Sequence, residues 1–270
     1  MKITLPLLRR RPAPAGGASP FGSTDDEIRD PEAGLPWTPP DAAVQQGLPL
    51  SATVHERAAR ERVSTSDQVV YQAVSLLLDY PDEELLADLP VIREAIGEEV
   101  RGATARQLMA FVEHLEATPL QQAQNDYVET FDMRRRCSLH LTYYAYGDTR
   151  RRGMALLDLK QTYKHCGATL NEDELPDHLC VMLAFAASID GPIDRTLLLD
   201  HRAGLELLRI SLTDRGSAYA HLIEAVSATL PTLVGRDRDA VRSLIASGPP
   251  DEQVGMEAYV SGSHMNEARV

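Results

Sequence analysis

From residue 67 onward, apolar positions along the chain recur at helical intervals. Val69, Val70, Ala73, Val74, Leu77 and Leu78 form one stripe, a spacing that buries a single face of a helix. Ser66 or Asp67 is placed to cap its start, and Pro81 to stop it. Two short helices are predicted over 83–89 and 91–100, parted by Pro90. Thr104 opens another, with Leu108, Phe111, Val112 and Leu115 on one face. Pro119 sits at the start of the next, whose stripe of Leu120, Ala123, Tyr127, Val128 and Phe131 keeps helical spacing. In the second half, Asp148 is placed to cap a helix running to about Cys166, closed by Gly167 in the left-handed position that follows many helices. Pro176 suits a first helical turn ahead of Leu179, Met182, Leu183, Ala186 and Ile189. Stretches 197–212 and 218–230 complete the set. No stretch alternates cleanly with period two, so the expected fold class is all-α: one compact domain of roughly eight to ten helices over 67–247.

The flanks read differently. Residues 1–66 hold nine of the 17 prolines and the single Trp37, with eight basic side chains against eight acidic ones. Lacking an apolar period, this segment cannot bury enough surface to offset the entropy of ordering it. It is expected to be a largely disordered extension, with a short helix near 55–63 and with Trp37 or Leu48–Leu50 as a docking motif in the alternative. Residues 248–270, rich in Pro, Gly and acidic side chains, read as a flexible tail.

Charge then narrows the function classes. With 27 Lys+Arg against 40 Asp+Glu the net charge is −13, the wrong sign for a protein whose main task is gripping nucleic acid or an anionic membrane. The longest apolar run, around 179–188, falls well short of the ~18–20 residues that span a bilayer, so no stable membrane insertion is expected. Cys137, Cys166 and Cys180 are too few and too scattered for a disulfide framework or a structural zinc site, and read as thiols of a reducing cytoplasm. Arg9-Arg10-Arg11 is followed by Pro12-Ala13-Pro14 rather than an apolar stretch, which argues against an export signal.

The charge is unevenly spread. Segment 134–152 carries six arginines (134–136 and 150–152) and one aspartate, a local +5 around Tyr143, Tyr144 and Tyr146. These arginines can stack on the tyrosines and close helix ends, or they can hold an anionic cofactor or partner segment. The usual catalytic signatures are missing: no nucleophile elbow, no phosphate-binding Gly loop, no His-Glu-x-x-His. Asp177-His178 puts a carboxylate beside an imidazole, but helix neighbours do not face each other, and Asp177 reads better as a first-turn acid favoured by the helix dipole. Gly147-Asp148 reads as a hinge.

Several runs together carry a resemblance: Asn125-Asp126-Tyr127-Val128-Glu129-Thr130-Phe131-Asp132, Ser138-Leu139-His140-Leu141-Thr142-Tyr143-Tyr144, Gly147-Asp148-Thr149-Arg150, Arg152-Gly153, and Glu174-Leu175-Pro176-Asp177-His178-Leu179. Their order and spacing over about 67–232 resemble the nitrate reductase molybdenum cofactor assembly chaperones (the delta subunit, or NarJ). These belong to the redox-enzyme maturation chaperones that include TorD and DmsD. The resemblance implies a cytoplasmic chaperone without turnover chemistry. Its partner would be the apo catalytic subunit of respiratory nitrate reductase, held through its N-terminal peptide until molybdenum cofactor and iron–sulfur cluster are inserted. No cofactor is bound permanently in that reading, and a transient contact with the client's molybdopterin guanine dinucleotide is left open. Carried over by motif, the peptide-binding candidates are Asp126, Tyr127 and Phe131, then Tyr143, Gly147, Asp148 and Arg150, then Pro176, Asp177 and His178. As i, i+4 aromatics on one helix, Tyr127 and Phe131 also read as core. Rival expectations are a chaperone of the same fold for a dimethylsulfoxide or trimethylamine-oxide reductase, and an all-α hydrolase or nucleotide-binding enzyme using Asp177, His178 and the arginines. An acidic body with one basic corner is expected to attract an Arg-containing leader and to release it as salt rises.

Overall fold

The computed structural model describes residues 3–4, 63–171, 174–189, 193–233, and 235, 238–239 and 241–242. The extension beyond Ile3–Thr4 up to residue 62, with Trp37, 48–50 and 55–62, lies outside the described residues, as does the 248–270 tail.

Ten α-helices make up the described body: α1 Thr65–Leu77, α2 Glu83–Glu99, α3 Gly102–Ala117, α4 Leu120–Tyr127, α5 Leu141–Tyr146, α6 Arg150–His165, α7 Leu179–Ser188, α8 Ile193–Asp200, α9 Arg202–Asp214 and α10 Ala220–Thr229. The all-α class therefore holds. Its departures among the described residues are a pair of two-residue parallel strands, β1 (Ile3–Thr4) beside β2 (Ala168–Thr169), and a single antiparallel bridge between His140 and His178.

The centre is α7, the longest apolar run of the sequence. All of Leu179–Ala186 are buried, so this helix is apolar all round because it is enclosed all round. Against it lies α1, which also meets α2 and α10; α10 in turn packs on α3 and α9. The Ser75 hydroxyl of α1 donates to the Cys180 carbonyl at 2.9 Å, and the Tyr71 hydroxyl meets Thr229 Oγ1 of α10 at 2.8 Å. Cys137, Cys166 and Cys180 are free thiols.

Local expectations fail in instructive ways. The cap of α1 is Ser64, whose Oγ accepts from the Asp67 N–H while the Asp67 carboxylate accepts from the Ser64 N–H. Asp67 is the third residue of a reciprocal capping box rather than the cap itself. Pro90 does not divide α2: it stands on the exposed face, where water can meet the Leu86 carbonyl that proline leaves without a donor. The helix expected from Thr104 begins at Gly102, and the stretch 197–212 is two helices that turn at His201. The stripe from Leu120 to Phe131 runs as α-helix only to Tyr127, then widens into a π-helical turn over Val128–Asp132. Asp148 does not cap α6; Thr149 occupies the cap position but its hydroxyl donates back to the Tyr146 carbonyl (2.8 Å) rather than accepting from the helix start, and Asp148 accepts from Arg152 instead. Pro176 lies ahead of α7 rather than in its first turn. Gly167, at φ 78°, does close α6 as expected.

One close approach fixes how α9 meets α5. A Cβ added at Gly204 would stand 2.8 Å from Tyr144 Cδ2 and 3.1 Å from its Cβ and Cγ. The ring cannot retreat, because it is fully buried and its hydroxyl donates to the carbonyls of Ser138 (2.9 Å) and Arg136 (3.1 Å). Gly204→Ala gains about 1 kcal/mol of helix propensity but forces an overlap costing about 1–3 kcal/mol. The expected result is a net loss, read as a thermal midpoint lowered by several degrees.

Candidate functional site

The turn after α4, a short 3-10 turn at Arg135–Cys137, the start of α5 and the start of α6 surround a cleft of about 220 Å³. Phe131, Asp132, Arg134, Arg135, Ser138, His140, Tyr143, Asp148 and Arg152 line it. Behind its floor sits Asp177, fully buried at the entry to α7. One carboxylate oxygen lies 3.2 Å from His140 Nδ1. The other accepts from the Thr142 hydroxyl and, at 3.4 Å, from Arg152 Nη2. Arg152 spreads its remaining donors to Thr142 Oγ1 (Nε, 3.3 Å) and Asp148 Oδ1 (Nη1, 2.9 Å), and its guanidinium carbon lies 6.0 Å from the centre of the Tyr143 ring.

The backbone reinforces this cluster. The Leu141 N–H donates to the Asp177 carbonyl (3.0 Å) and the Leu179 N–H to the Leu139 carbonyl (2.8 Å), so 139–141 and 177–179 form one antiparallel bridge. The Tyr163 hydroxyl donates to the Pro176 carbonyl at 2.7 Å, tying α6 to the same turn. Gly147, at φ 55° and ψ −154°, allows the sharp corner that returns α6 across α5.

Burial alone would raise the Asp177 pKa, but hydrogen bonding and charge from His140, the Thr142 hydroxyl and the Arg152 cation outweigh it and hold the carboxyl at about 2. An aspartate with a depressed folded-state pKa contributes stability that is complete above its unfolded value, near ~3.9, and is lost as pH falls toward the folded value. The wild-type chain is expected to lose about 2 kcal/mol more between pH ~5 and pH ~2 than an Asp177→Asn variant does. Acid unfolding followed by circular dichroism checks this; parallel curves for the two chains would contradict it.

The motif candidates divide by place. Phe131, Tyr143 and Asp148 line the cleft, and Gly147 shapes its corner. Asp177 lies beneath it, and Pro176 is buried beside Asp177. The His178 ring packs edge-on against that of His140, with centroids 5.1 Å apart. Tyr127 and Phe131 belong to an aromatic cluster with Tyr219 (6.0 and 4.8 Å), which also takes in Phe111. Asp126 stands on that side; burial pushes the Tyr219 hydroxyl up, and the Asp126 charge adds to it. Arg150, exposed at the start of α6, does not line the cleft. The sequence pattern did not point to Thr142, His140 and Arg152 as partners of Asp177. All three sit in the quoted runs, but only the fold brings those runs together.

Fold and site define a helical body with a polar, aromatic-edged cleft assembled from several motif segments. The chain belongs to the nitrate reductase delta subunit family, whose profile matches residues 95–224. A probable nitrate reductase molybdenum cofactor assembly chaperone NarJ of Bacillus subtilis (strain 168) is 33% identical over 174 residues, covering 64% of this chain and 95% of the relative. The nitrate reductase molybdenum cofactor assembly chaperone NarJ of Escherichia coli (strain K12) is 34% identical over 181 residues, covering 66% of this chain and 76% of the relative. A nitrate reductase-like protein NarX of Mycobacterium tuberculosis (strain ATCC 25618 / H37Rv) is 37% identical over 161 residues, 60% of this chain but 24% of that protein. Among the described residues no cluster of His, Cys, Asp and Glu is arranged to hold a metal ion, and no helix is long and apolar enough to cross a membrane.

Proposed function

We propose that this chain is an assembly chaperone of a respiratory nitrate reductase. It holds the apo catalytic subunit by its N-terminal segment, keeping it competent for molybdenum cofactor and iron–sulfur cluster insertion. The observation that carries this reading is the match, over most of the helical body, to relatives named as nitrate reductase molybdenum cofactor assembly chaperones. Supporting it, the runs that carry the family resemblance converge on one cleft offering aromatic rims and fixed polar groups, a surface suited to a short peptide. The molybdopterin guanine dinucleotide stays the client's in this reading, and any contact with its phosphates falls to Arg134, Arg135 and Arg152.

The hydrolase reading draws little from the geometry. A carboxylate held at about 2 by three side-chain partners is a poor base at neutral pH, and His178 packs against His140 rather than lining the cleft. The test is calorimetric titration of the full chain with a peptide of about the first 30 residues of the catalytic subunit. Saturable 1:1 binding is expected, and preference for a leader from a dimethylsulfoxide reductase would move the client assignment. No binding to either peptide would overturn the reading.

A further inference from the structure

Asp177 was a candidate peptide contact, yet it is fully buried and does not line the cleft. An ionised carboxylate only accepts hydrogen bonds, so the nitrogen of His140 that faces it must carry the proton. That nitrogen is Nδ1, at 3.2 Å. In the neutral imidazole the proton on Nδ1 leaves Nε2, on the far edge of the ring, as a lone-pair acceptor. The ring has little freedom to turn: the His140 N–H donates to Ser138 Oγ at 3.2 Å, the bridge through Leu139 and Leu141 fixes its backbone, and the His178 ring stands against it at 71°. On the same carboxylate, Arg152 is clamped by Thr142 and Asp148 as well.

We propose that Asp177 is a positioning residue: it fixes His140 as the Nδ1–H tautomer and pins Arg152, so that the cleft recognises an N–H or O–H donor of the bound segment through His140 Nε2. The logic is that of a buried carboxylate orienting a histidine whose other nitrogen does the contacting. In naming the chemistry of the bound segment, the inference rests on the peptide-binding reading above. The tautomer is a property of the unliganded chain and is measured without any peptide.

Two measurements test it. Long-range proton–nitrogen NMR of the full chain, labelled at histidine and followed to mildly alkaline pH, should show the neutral His140 ring protonated on Nδ1 and bare on Nε2. In Asp177→Asn that preference should weaken. In the peptide titration, His140→Asn keeps an N–H donor near the place of Nδ1 but offers nothing at Nε2. It should retain the wild-type thermal midpoint and bind about tenfold more weakly. His140→Gln, which can offer an amide oxygen near the place of Nε2, should bind more tightly than His140→Asn, an order that a purely structural role would not produce. Finding His140 protonated on Nε2, or finding that His140→Asn binds like wild type, would overturn the proposal. If wild-type chain binds no peptide, the functional reading fails, and the tautomer alone decides whether Asp177 positions His140.

Discussion

Replacing Glu206 by Ala is expected to destabilise the fold by about 3–5 kcal/mol, lowering the thermal midpoint by roughly 10 °C, although Glu206 lies away from the cleft. Glu206 is buried on α9 and accepts from three groups: Arg202 Nη2 (2.8 Å), Ser227 Oγ (2.7 Å) and Arg209 Nε (2.7 Å). Burial opposes its charge, but these partners more than compensate and draw its pKa below the ordinary value. Arg202, one turn earlier and equally buried, also donates to Ser227 at 3.0 Å. Truncating the carboxylate strands that guanidinium in a low-dielectric interior, where an uncompensated cation costs several kcal/mol. The paired change Arg202→Met with Glu206→Leu removes both charges and fills much of their volume. It should recover to within about 1–2 kcal/mol of wild type, since Arg209 is partly exposed and can turn to water. Chemical denaturation of the single and double variants measures both values. A double variant as unstable as Glu206→Ala would show that the loss comes from packing rather than from an orphaned charge.

The second large effect is expected at Asp177. Asp177→Ala removes the acceptor shared by His140, Thr142 and Arg152, and should cost about 3 kcal/mol or more. Asp177→Asn keeps an acceptor oxygen and should cost about half as much. The damage should be local first. Hydrogen exchange of the Leu141 and Leu179 amides, which close the bridge between the start of α5 and the start of α7, should accelerate before the amides of α7 itself. Uniform acceleration across the whole body would contradict a latch at this position.

How much of this was legible beforehand depends on the range of the interactions. The helices were readable because burial of one face repeats within a turn or two, as in α1 and α3, and α7 announced itself as the longest apolar run. Pro90 misled because its effect depends on which side of α2 it faces, and a breaker on the wet side need not break. The π-helical turn after Tyr127 was invisible, since the Tyr127–Phe131 spacing suits an ordinary helix equally well. The cleft was half legible. Its segments were each conspicuous as runs, and Phe131, Tyr143 and Asp148 line it. The Asp177 cluster was not legible, because it joins groups 25 to 37 positions apart in the chain. The tempting local pair, Asp177 with His178, gave way to Asp177 with His140. The Arg202–Glu206 pair hid for the opposite reason: an i, i+4 ion pair is ordinary on a helix surface, and only the fold buries this one.

A segment of the nitrate reductase catalytic subunit held at the cleft above Asp177 would shield that cleft from solvent. Hydrogen–deuterium exchange of the full chain, alone and with the apo catalytic subunit, tests this most directly. New protection is expected to concentrate in Phe131–Arg152 and around 177–179, with the exposed face of α2 unchanged. Binding that leaves those segments unprotected and slows exchange elsewhere would contradict it.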